Sequence, residues 1–158
     1  MRKQKGFSLI ELLIVVAIIL IIAAIAVPNL LRSRMAANEA SAVGTVRTIN
    51  TAQVMYAATY PATGYTALSA LGGASPCTAS PTTACIIDST VSGGGAKSGF
   101  TFASAAGAGT PSITFTVNGD PQTFGTTGMR HFFSDQTFVI RYDTTTAGPA
   151  TAASTALQ

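Results

Sequence analysis

Few side chains in this sequence could do chemistry, and the most telling is a glutamate. Glu11 sits at the head of an apolar run from Leu12 to Leu31, just after Phe7-Ser-Leu-Ile. A carboxylate in lipid costs on the order of 2.5–3.5 kcal/mol by insertion scales, so a chain that keeps one there has a use for its charge. Two cysteines, Cys77 and Cys85, bracket Thr-Ala-Ser-Pro-Thr-Thr-Ala. A small Thr/Ser/Pro loop between cysteines, beyond a membrane, reads as a local disulfide staple worth about 2–3 kcal/mol. A zinc site needs more soft ligands, and His131 is the only histidine, so no metal is assigned. Asp120, Asp135 and Asp143 fall beside turn residues and are sparse for a calcium site, which takes 6–8 oxygens. No second histidine is available for a Ser/His/Asp set. The sequence therefore predicts no catalytic residue, no cofactor and no enzyme.

Charge excludes a further class. Charged residues are 9 % of the 158, against about 25 % in ordinary globular domains. The formal net charge is +3, from 9 basic and 6 acidic residues. Three of the basic residues are Arg2, Lys3 and Lys5. Without them Arg32, Arg34, Arg47, Lys97, Arg130 and Arg141 balance Glu11, Glu39, Asp88, Asp120, Asp135 and Asp143. No basic stripe is left to track a phosphate backbone, so nucleic acid is not a primary partner.

The elements that must carry these residues follow from the apolar pattern. About 20 apolar residues span a hydrocarbon core of roughly 30 Å. The run is longer than the core of a secretory signal and leads through Ala-Ile-Ala-Val-Pro28 into more helix. Basic residues before the span place the N-terminus in the cytoplasm. From Met35 the period becomes amphipathic, with Met35, Ala42, Val46, Ile49, Gln53, Tyr56 and Tyr60 on one face and Arg47, Asn50 and Thr51 elsewhere. A single long helix is expected, bent at Pro28 and weak at Gly44. Residues 73–99, rich in Gly, Ser, Thr and Pro, read as a surface connection. Strand signals follow at Phe100/Phe102, Ile113/Phe115/Val117, His131-Phe132-Phe133 and Phe138/Ile140/Tyr142, with turns at Asn118-Gly119 and Asp135-Gln136. The expected fold is α+β: a long N-terminal helix, half transmembrane and half amphipathic, packed on an antiparallel sheet of three to four strands. The expected divisions are a leader (1–6), a transmembrane and assembly helix (7–31), an amphipathic helix (32–60), a loop region with the disulfide (61–99), the sheet (100–143) and a flexible tail (144–158).

The stretch Lys5-Gly6-Phe7-Ser-Leu-Ile-Glu11-Leu-Leu-Ile-Val-Val-Ala-Ile-Ile, followed by Ala-Ile-Ala-Val-Pro28-Asn, closely resembles the N-terminal motif of type IV pilins and type II secretion pseudopilins. With the helix to Tyr60 the resemblance covers about a third of the chain, and Tyr60-Pro61 followed by Leu68 and Leu71 looks like the helix exit of the same families. It implies a pilin fold, cleavage between Gly6 and Phe7 by a membrane prepilin peptidase, and N-methylation of Phe7 by the same enzyme. Once cut, Glu11 lies one turn from a new α-ammonium, whose charge methylation preserves. Such a cation on a neighbouring subunit can pair with the buried carboxylate and set register. The resemblance also implies that the helix loses hydrogen bonds near Pro28 on polymerisation. Implied partners are identical or related pilin subunits, the peptidase/methyltransferase, an inner-membrane assembly platform and, before assembly, membrane lipid. The implied location is a single-pass inner-membrane precursor with a periplasmic C-terminal domain, then an extracellular pilus. Relatives of this kind usually close a larger disulfide loop near the C-terminus, so the small loop from Cys77 to Cys85 is a departure. Three functions stay open: a pilus subunit serving adhesion, motility or DNA uptake, a pseudopilin driving protein secretion, and a membrane-anchored binding domain that never polymerises.

Overall fold

The computed structural model describes residues 7–146 and 148–157. The chain divides into an N-terminal segment, Met1–Arg34, and a compact unit, Met35–Gln158. One helix, α1 (Leu9–Thr59), enters both. Two short helices, α2 (Leu68–Leu71) and α3 (Ser89–Ser92), precede five strands: β1 (Phe100–Ala106), β2 (Phe115–Pro121), β3 (His131–Asp135), β4 (Arg141–Asp143) and β5 (Thr155–Ala156). The strands form one antiparallel sheet in the order β1-β2-β3-β4-β5.

Within the compact unit, α1 forms because Ala42, Val46, Ile49, Gln53 and Tyr56 recur every three or four residues, and all are buried. The sheet meets them with every second side chain: Phe100 and Phe102 from β1, Phe115 and Val117 from β2, Phe132 from β3. Phe102 lies opposite Gly119, and Gly119 opposite Phe132. A Cβ on Gly119 would stand 3.1 Å from the Phe102 ring and 3.4 Å from Val46, so glycine lets strand and helix approach closely here. Each fully buried phenylalanine contributes about 1.5–3 kcal/mol of apolar burial. Two amides cross the same interface. Asn50 Nδ2 donates to Ser134 Oγ at 2.8 Å, and Gln53 Nε2 donates to the Thr66 carbonyl at 2.6 Å and lies 2.9 Å from Ser104 Oγ.

The Cys77–Cys85 disulfide forms, with the two Cα atoms 6.0 Å apart. Its loop is seated from both sides. Tyr56 donates its hydroxyl to the Pro81 carbonyl at 2.6 Å, while the Ala84 and Ile86 amides donate to Ala70 and Leu71, each at 2.7 Å.

The sheet has five strands where three to four were expected, because the C-terminal residues supply β5. The Leu157 amide donates to Ile140 at 2.7 Å, and Ala150 is buried, its carbonyl accepting from Asn118 Nδ2 at 3.3 Å. Backbone pairing, the small buried Ala150 and the partly buried Leu157 packed on the core hold this segment, and together they produce no apolar period. Four local readings also change. Asn118-Gly119 lies inside β2, not in a turn. Ile113 precedes β2 and is 74 % exposed. Phe138 sits in a turn, with φ of 61°, before the short β4. Asn50, placed off the apolar face by its chemistry, is buried and hydrogen-bonded instead.

Candidate functional site

In the N-terminal segment α1 begins where Ser8 can cap it. Ser8-x-x-Glu11 is the spacing of a capping box, in which the third helical residue reaches back to the capping residue's backbone. The Ser8 amide donates to Glu11 Oε2 at 2.9 Å. Glu11 is thus held in the first turn, at the positive end of the helix dipole, where a carboxylate is favoured. The serine is a partner that attention to glutamate alone misses, and the capping spacing is its signal in the sequence. Phe7 is 78 % exposed, and every large apolar side chain from Phe7 to Leu31 is 45–78 % exposed. The helix is long and apolar enough to cross a membrane. Pro28 lies inside it, where its ring removes one backbone donor. Gly6, the other half of the expected cleavage site, lies outside the described residues.

In the compact unit the polar side chains pair with one another and with backbone groups. Glu39 is buried on α1. Its Oε1 accepts from the Met129 amide at 2.7 Å, and its Oε2 accepts from Arg130 Nε at 2.8 Å and Nη2 at 2.7 Å. The Arg130 guanidinium also stands over the rings of Phe132 and Tyr142, at 5.8 and 5.5 Å from their centroids. The signal for this clamp lies in the stripe itself: position 39 falls between Met35 and Ala42 at helical spacing, so a carboxylate there points inward.

The lone histidine does find a carboxylate. His131 Nδ1 is 2.7 Å from Asp120 Oδ1, and Phe124 stacks on the ring. No hydroxyl or thiol reaches the other nitrogen among the described residues. The Asp120 carboxylate and the Phe124 ring thus fix the orientation of the imidazole. Asp135 accepts from the Thr137 amide, and Asp143 from the Thr145 amide. The Thr145 amide holds Asp143 below the ordinary carboxylate value, and the Thr90 amide does the same for Asp88, the cap of α3. Among the described residues no three His, Cys, Asp or Glu side chains gather as metal ligands.

The N-terminal segment is thus an exposed apolar helix with one carboxylate in its first turn, and the compact unit is an α+β fold carrying a small disulfide loop. The family model described as "Prokaryotic N-terminal methylation motif" matches residues 1–27. Among curated proteins, the chain is 64 % identical over 39 residues to the type IV wide pilus major component PilA4 of Thermus thermophilus, covering 25 % of this chain and 30 % of that one. It is 43 % identical over 56 residues to type II secretion system core protein G of Vibrio cholerae, covering 35 % and 38 %. It is 45 % identical over 51 residues to the type IV major pilin protein PilA of Myxococcus xanthus, covering 32 % and 23 %. The match thus spans well under half the length of each relative. No solved structure matches the chain. Motif and relatives together make the chain's N-terminal region similar to that of type IV pilins and of a type II secretion core protein.

Proposed function

We propose that this protein is a structural subunit of a type IV pilus-like filament that polymerises through its N-terminal helix. The observation that carries the reading is the exposed apolar stretch from Phe7 to Leu31 with Glu11 in its first turn. The precursor spans the inner membrane once, with its N-terminus in the cytoplasm, its leader at 1–6 and its compact unit in the periplasm. A prepilin peptidase cuts between Gly6 and Phe7 and methylates Phe7. The new ammonium of one subunit then pairs with Glu11 of another, and an assembly platform draws the helix out of lipid. Pro28 is where the helix gives way on packing. The assembled pilus is extracellular and serves adhesion, motility or DNA uptake.

The similarity to core protein G supports a second reading, a pseudopilin of a secretion system. Electron microscopy of sheared surface filaments, with peptide identification, separates the two. A pilus yields long filaments containing this chain and a mature N-terminus at Phe7. Glu11→Ala should remain in the inner membrane and form no filaments. Filaments of normal yield from that variant would sink the assembly role of the carboxylate.

A further inference from the structure

Two arginines follow the apolar run directly. Arg32 and Arg34 are exposed on α1, and the run before them, from Leu12 to Leu31, carries no charge. Neither belongs to an ion pair among the described residues, where the pairs are Arg130–Glu39 and His131–Asp120. Glu39, the next acid along the sequence, is taken by Arg130. The place of the two arginines is unusual for a membrane span. Basic residues gather on the cytoplasmic flank of a span, and the far flank is ordinarily poor in them. Two guanidinium groups kept on the far flank therefore have something to bind there.

Their spacing says what kind of surface they meet. At about 3.6 residues per turn, positions two apart lie about 200° apart around a helix. Arg32 and Arg34 thus stand on nearly opposite sides of α1. A protein partner meets one helix face, through residues three or four apart. A layer of lipid headgroups surrounds a lone helix on every side, and a cation on each side suits that layer. The height along the helix agrees. From Glu11 to Arg32 is about 21 residues, or about 32 Å of helix, against roughly 30 Å of hydrocarbon core. With the guanidinium groups at one headgroup layer, Glu11 reaches the opposite edge of the core rather than its middle. Asn29, the one polar side chain between Glu11 and Arg32, lies within a turn of Arg32. Arginine also fits the chemistry. Its stem lies along acyl chains while its planar head takes phosphate oxygens in pairs.

We propose that Arg32 and Arg34 form a collar that binds anionic lipid headgroups on the periplasmic face of the membrane. The collar rests on the reading of the precursor as a single membrane span. Leu30→Trp tests it in the full chain reconstituted into phospholipid vesicles. The chain has no tryptophan of its own, and Leu30 is exposed beside the collar. Brominated acyl chains quench a tryptophan that they touch. Brominated phosphatidylglycerol, compared with brominated phosphatidylcholine in the same lipid mixture, therefore reports the local preference. On the same reading the basic residues of the leader sit at the opposite leaflet, out of range of this reporter. Phosphatidylglycerol should be preferred by about fivefold for each arginine, about 25-fold for both. Arg32→Gln/Arg34→Gln should bring the preference close to one, while Arg32→Lys/Arg34→Lys should keep most of it. Equal quenching by the two lipids with both arginines present, or an undiminished preference in the double glutamine variant, would overturn the collar and leave the spanning helix intact. A tryptophan quenched by neither lipid would place the helix outside the acyl chains and overturn both.

Discussion

Glu39 shows what a single residue contributes here. Its side chain is 8 % exposed and its partner Arg130 is 36 % exposed, so the pair is buried at one end and wet at the other. Removing one member of a buried pair typically costs 3–5 kcal/mol, because the other is left uncompensated. In Glu39→Ala the guanidinium can still reach water, which reduces that penalty, but the Met129 amide loses its acceptor as well. The expected loss is about 3 kcal/mol, measured by urea unfolding of the detergent-solubilised chain. Glu39→Gln keeps an oxygen for the Met129 amide and forfeits the charge, so it should cost about half as much. Equal midpoints for wild type and Glu39→Ala would show that the clamp holds nothing. Glu11 makes a different bargain. The Ser8 amide satisfies one of its oxygens, and on the proposed filament reading the carboxylate also meets the ammonium of a neighbouring subunit.

At the scale of elements, the junction between α1 and the sheet depends on small residues placed opposite large ones. Gly128, outside the strands, shows such a tight approach. A Cβ there would stand 2.5 Å from Phe100 Cζ, and Phe100 is fully buried with its ring against Phe132, so it has nowhere to move. Gly128→Ala should therefore destabilise the unit by about 1–3 kcal/mol, the usual range for overpacking, with the denaturant slope unchanged. A neutral substitution would mean that the loop shifts to make room. The long helix was legible because its two periods, continuous and then amphipathic, are strong signals. The Phe100/Phe102 strand was legible for the same reason. Ile113 and Phe138 were misplaced because they extend an apolar alternation that tertiary structure cuts short: the loop of Ser112 and the turn of Asp135 set the backbone there. Asn118-Gly119 reads as a turn locally, yet its glycine serves the close approach to Val46. The β5 pairing left no trace, since a two-residue edge strand needs only backbone groups. Of the candidate site, the place of Glu11 at the head of the apolar run was readable from type and spacing, whereas Phe7 was singled out by the family resemblance. The Ser8 cap and the Glu39 clamp needed attention to partners.

At the scale of the whole molecule, the scarcity of charge sets how a filament of such subunits should respond to salt. The six acids are matched by the six basic residues that remain once Arg2, Lys3 and Lys5 are set aside. Among the described residues only two pairs, Arg130–Glu39 and His131–Asp120, come within ion-pair distance, and both lie inside one subunit. Two subunits of near-zero net charge neither repel nor steer each other over distance. On the proposed filament reading, cohesion then falls to apolar area, supplied by the stretch from Phe7 to Leu31, and to the proposed Glu11–ammonium pair, which screening scarcely reaches in an apolar interior. Sheared filaments should therefore persist from about 0.01 M to about 1 M sodium chloride, a range over which the screening length falls from about 30 Å to about 3 Å. Non-ionic detergent should dissolve them instead, because it offers the exposed helix an alternative apolar surrounding. Sedimentation of filaments across both titrations measures this. Release of subunits by salt alone would show that exposed charge pairs hold the array together, and would contradict an assembly built on the apolar helix.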